Sequence, residues 1–131
     1  MNAIQELYLN SGLVKKVQIY EQYYESYLKL RDGLWVGLCP WNRRLIYDNE
    51  NMEDFPSVSE AKEIVENLNT IKELSSIFHE DYNFFPILDF GAIWTKDCGE
   101  YPEFFMTVPF IGQPFSVHMK MHRYIAFVRR D

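Results

Sequence analysis

His118, Lys120 and His122 stand at alternate positions of SVHMKMHRY, and their types and spacing make the first claim to chemistry in this chain. Two histidines four apart could grip a metal ion if they lay one turn apart on a helix. Here, however, Phe115, Val117, Met119 and Met121 alternate with Ser116, His118, Lys120 and His122. A period of two marks a strand with one face buried. On such a strand His118 and His122 would lie roughly 13 Å apart, at about 3.3 Å per residue, and Lys120 between them would repel a cation. The spacing predicts no metal site. The same face instead gathers positive charge, with Arg123, Arg129 and Arg130 close behind. Such a strip suits an anionic ligand or a nucleic acid, with Tyr124 available for stacking. It equally suits a solvated sheet face whose cations discourage edge pairing, or one that docks on the acidic surface of the protein itself.

Trp41, Arg43 and Arg44 form a second candidate. An indole flanked by arginines in a turn has the composition of an interface hot spot, although it could also fold back onto a sheet. Trp35 and Trp94 lie inside apolar runs and read as core. Nucleophile constellations are weak. Cys39 precedes Pro40, and Cys98 sits in Asp97-Cys98-Gly99, neither with a base nearby in sequence. Two cysteines make no disulfide framework and no zinc spacing. There is no GxSxG, P-loop or GxGxxG, so neither a catalytic residue nor a cofactor is assigned.

Charge is divided along the chain. The net charge of -6 combines +2 over residues 1–45, -11 over 46–104 and +3 over 105–131. Blocks of one sign steer encounters with the opposite sign. In the middle block Glu50, Glu53, Asp54, Glu60, Glu63, Glu66, Glu80 and Asp81 could mimic a phosphate array. A solvated helix face and a polar loop explain the same residues, since glutamate is an ordinary surface helix former. Overall acidity disfavours general nucleic-acid affinity, which phosphate contacts dominate.

These candidates need elements to hold them. A length of 131 residues predicts one domain spanning 1–131, with apolar content far above that of disordered chains. Ile4, Leu7 and Tyr8 keep helical spacing over 2–10. Leu13, Val14, Val17, Tyr20, Tyr24, Tyr27 and Leu28 do so over about 13–31, with Gly33 as a stop. KVQIYEQYY within that run carries a competing strand pattern, but the helical period holds for longer. Ser57 with Glu60 makes a capping box that opens a helix over about 57–78, either unbroken or divided near Asn69-Thr70. Apolar runs at 34–39, 44–48, 86–94, 103–110 and 115–128 read as five strands of one antiparallel sheet. The fold class is therefore α+β, with the helices on one face.

The expected function is non-catalytic binding to another macromolecule, foremost a protein, as an inhibitor, adaptor or regulator of the small accessory or phage type. The surplus of aromatics carries self-association with it. A nucleic-acid or nucleotide binder using the basic strand face is the alternative, and a small enzyme with a scattered site stays open beside both. The opening segment lacks the pattern of a signal peptide, and no apolar stretch is long enough to span a membrane. The expectation is a cytoplasmic protein with no membrane partner.

Overall fold

The computed structural model describes residues 2–21, 23–38, 53–78, 92–99, 101, 104–118 and 126–131. The fold is α+β, with three helices and two antiparallel sheets of four and three strands among the described residues. Helix α1 (Ala3–Ser11) begins where the Asn2 side chain accepts from the Gln5 amide at 2.8 Å, and ends at Gly12 with φ 80°. It is held at its inner side by Tyr8 against the edge of Phe78 and by Gln5 Nε2 donating to the Ile77 carbonyl. The rest of its apolar stripe, Ile4 and Leu7, faces solvent.

The segment 13–31 is not a helix. It is a hairpin of β1 (Val14–Tyr20) and β2 (Tyr23–Arg31), paired from Val14 opposite Leu28 to Tyr20 opposite Tyr23. β-branched and aromatic residues crowd the segment, and they suit a pleated, packed surface better than a helix. The Asp32-Gly33 pair, which reads as a helix stop, is instead the tight connection to β3 (Leu34–Gly37). Gly33 adopts φ 82° there, the left-handed region that glycine enters without strain.

Helix α2 (Val58–Glu66) opens with the expected capping box. Glu60 N–H donates to Ser57 Oγ at 3.2 Å, and Ser57 N–H donates to Glu60 Oε1 at 2.8 Å. The Asp97 carboxylate adds a bond from the Val58 amide at 2.8 Å. Asn67 then breaks the helix, donating from its side chain to the Glu63 carbonyl, and α3 (Leu68–Phe78) follows. The expected helix over 57–78 is thus two helices, parted two residues before the anticipated joint.

Strands β4 (Ala92–Cys98), β5 (Phe104–Pro109) and β6 (Phe115–His118) form the three-stranded sheet in the order β4-β5-β6. Strand β7 (Val128–Arg129) completes the other sheet, in the order β1-β2-β3-β7. The single sheet of five strands is therefore corrected to two sheets. The run 115–128 supplies a strand to each of them, with 119–125 outside the described residues. The expected strand 44–48 and residues 86–91 of the strand 86–94 also lie outside them.

One apolar cluster joins these pieces. Val14, Leu28, Val36 and Val128 come from the inner face of the four-stranded sheet, and Ala61, Ile64, Ile71 and Leu74 from α2 and α3. Ile93 and Val108 come from the three-stranded sheet. A smaller cluster of Trp94, Phe105 and Val117 lies on the opposite face of that sheet.

Candidate functional site

Of the residues singled out from the sequence, His118, Arg129 and Arg130 lie among the described residues. His118 closes β6, opposite Phe104 in the three-stranded sheet, whereas Arg129 lies in β7 of the four-stranded sheet. Lys120, His122, Arg123, Trp41, Arg43 and Arg44 lie outside the described residues. Arg130 is committed internally. Its Nε donates to Glu60 Oε2 at 2.8 Å and its Nη2 to Glu60 Oε1 at 2.7 Å, while further donors reach the carbonyls of Glu53 and Phe55. This fork ties the segment after β7 to the first turn of α2, where a carboxylate already favours the helix dipole.

The opposite face of the four-stranded sheet gathers a different set. Paired residues across a sheet share a face, so Lys29, Trp35 and Arg129 line up across β2, β3 and β7. Lys15 and Tyr27, paired between β1 and β2, lie beside them on the same face. The Lys15 ammonium sits 4.2 Å from the centre of the Trp35 ring and that of Lys29 sits 5.9 Å away. Both distances are within cation–π range. Trp35 Nε1 donates to the main-chain oxygen of Asp131 at 3.0 Å. The Asp131 carboxylate lies 3.1 Å from Lys15 Nζ and 3.6 Å from Arg129 Nη2.

Exposure is graded along this face. Glu25 and Tyr27 are buried, with the Tyr27 hydroxyl donating to Glu25 Oε2 at 3.2 Å, and the Arg129 guanidinium lies 6.0 Å over the Tyr27 ring. Toward the other end Lys15, Lys29, Trp35 and Arg129 are half-buried, and Asp131 is exposed. The resulting surface is a half-buried indole with two lysine ammonium groups against its ring.

The charges are tuned by these contacts. Asp131 is held below the usual carboxylate range chiefly by the hydrogen bond from Lys15, and Asp32 by that from Lys29 at 2.7 Å. Burial pushes Glu60 upward, but the bonds from Arg130 and Ser57 outweigh it and leave its carboxyl lowered. Glu63 holds the Arg31 guanidinium in its charged form through a 2.7 Å contact.

Sequence reasoning missed Lys15, Lys29 and Trp35. Asp-Gly between two apolar runs was the available signal for the hairpin, but a regular two-residue turn would pair Lys29 with Val36, and the register shift between Lys29 and Arg31 is what sets Lys29 opposite Trp35. Among the described residues, no group of three or more His, Cys, Asp or Glu side chains could hold a metal ion. Nor is any helix among them long and apolar enough to cross a membrane. Cys98 is exposed at the end of β4. Comparison with protein-family models, with curated proteins and with solved structures finds no match to this chain.

Proposed function

We infer that this chain is a non-catalytic binding protein whose partner is another protein, engaged through the face centred on Trp35. The observation that carries this reading is the half-buried indole within cation–π distance of both Lys15 and Lys29, with Arg129 paired opposite it. Tryptophan and arginine are the residues on which binding energy concentrates at protein interfaces. A side chain already fixed by its neighbours loses little rotamer freedom on binding, which favours its use as an anchor. The sheet behind it is stiffened by the apolar cluster on its inner face.

The test is affinity capture with the tagged full chain, comparing wild type with Trp35→Ala and Lys29→Glu. Both substitutions lie on the face turned away from the main core, so thermal melting should show folded proteins. The expected result is a specific partner retained by wild type and lost from both variants. Retention of the same partner by Trp35→Ala would overturn the assignment of this face. A chain that behaves as a lone monomer with no specific partner would overturn the protein-binding reading itself.

A further inference from the structure

We propose that the Trp35 face recognises a carboxylate, that Asp131 fills this position in the free chain, and that an acidic segment of another protein displaces it. The proposal rests on the protein-binding reading above and narrows the partner to an acidic one. Asp131 marks the position directly. Its carboxylate is approached by Lys15 Nζ at 3.1 Å and by Arg129 Nη2 at 3.6 Å, while its main chain takes the Trp35 indole N–H at 3.0 Å. Cations from β1 and β7 therefore converge on one anion beside an aromatic wall.

The occupancy is loose enough to be exchanged. Asp131 is exposed on the outer side of the contact, and surface ion pairs of this kind contribute little. The Arg129 contact is long, and among the described residues Asp131 supplies its only ion pair and Arg129 Nε is buried with no hydrogen-bond partner. An incoming carboxylate that approached Arg129 more closely would gain a charge-assisted bond that Asp131 does not make.

The same geometry disfavours a nucleic acid. Stacking of a base needs a free aromatic face, and the Lys15 ammonium already sits 4.2 Å from the ring centre of Trp35. Three cations beside one indole form a compact site, not a track along a phosphate backbone, and the chain as a whole carries -6. An acidic peptide segment, with isolated carboxylates and apolar neighbours, matches the charge and the wall together.

The experiment follows the Trp35 indole N–H resonance of the nitrogen-15-labelled full chain, assigned by its loss in Trp35→Phe. The chain is titrated with a glutamate-rich peptide at low salt, in wild type and in Asp131→Asn. Removing a competitor that occupies the position about four-fifths to nine-tenths of the time tightens apparent binding about five- to tenfold. Asp131→Asn should therefore bind the peptide about five- to tenfold more tightly than wild type, and adding Lys15→Ala should reverse the gain. Equal or weaker binding by Asp131→Asn would overturn the proposal; if Trp35→Ala still lost its captured partner, the protein-binding face would survive that failure. A peptide that leaves the Trp35 signal unmoved in both forms would also overturn it. So would a single-stranded oligonucleotide of matched charge that shifts the signal where the peptide does not.

Discussion

Arg130 closes the fold with four hydrogen bonds, two to the Glu60 carboxylate and one each to the carbonyls of Glu53 and Phe55. The Glu60 side chain is 11% exposed and that of Arg130 33%, so the pair is partly shielded from water. Breaking a fully buried pair by removing one partner costs about 3–5 kcal/mol, and the exposed third of Arg130 lowers the expectation for Glu60→Gln to about 2 kcal/mol. The pH dependence has a definite sign. Glu60 titrates lower in the folded chain than in the unfolded one, because Arg130 and Ser57 outweigh its burial. Its contribution is complete above the ordinary glutamate value of about 4.3 and is lost as pH falls through the lower folded value. Urea denaturation across pH 7 to 3 should therefore show Glu60→Gln less stable than wild type at neutral pH, with the gap closing below about pH 4. A gap that stayed constant would mean that the carboxylate charge contributes nothing. Sequence reading picked out both residues, Glu60 as a capping residue and Arg130 as part of a basic strip. It did not bring them together, because their contact spans seventy residues and depends on how β7 returns to the sheet.

At the level of elements, the capped helix was legible because its signals are local. Ser57, Glu60 and the apolar stripe from Ala61 to Ile64 act within one or two turns, and the structure keeps all of them. The hairpin over 14–31 was not legible, for a physical reason visible in β2. Glu25, Ser26, Tyr27 and Leu28 are buried in succession, so both faces of the strand are covered where it crosses the sheet. A strand buried on both sides loses the alternation that identifies strands, and the remaining apolar spacing then fits a helical period by default. The turn carried the discriminating information. Gly33 stands at φ 82° with nothing within 4 Å of an added Cβ, so substitution there meets backbone strain and no steric clash. Gly33→Ala should destabilise the chain by about 1 kcal/mol, and Gly33→Asn by less, since asparagine tolerates the left-handed region. Denaturation midpoints for the two variants check this ordering. Equal stability of all three proteins would show that the connection relaxes at no cost.

At the scale of the whole molecule, part of the charge read along the sequence is paired within the fold among the described residues. Glu60 of the acidic block meets Arg130 from the basic end, Glu63 meets Arg31, and Glu53 meets Lys96 within its own block. The net charge therefore says less about partners than the cations gathered around Trp35. The same long-range closure governs cooperativity. Leu74 of α3 is 1% exposed and packs in the cluster that unites both sheets. Leu74→Ala removes contacts within that cluster, at a cost of about 2–5 kcal/mol. Two tryptophans can report on the sheets separately, because Trp35 lies in the four-stranded one and Trp94 in the three-stranded one. With Trp41 replaced by Phe, a chain retaining only Trp35 and a chain retaining only Trp94 can each be unfolded in urea and followed by fluorescence. If the shared cluster makes one cooperative unit, Leu74→Ala will lower the free energy of unfolding by the same amount in both backgrounds. A loss confined to one reporter would mean that the sheets unfold independently, and that the Trp35 face is supported by its own sheet alone.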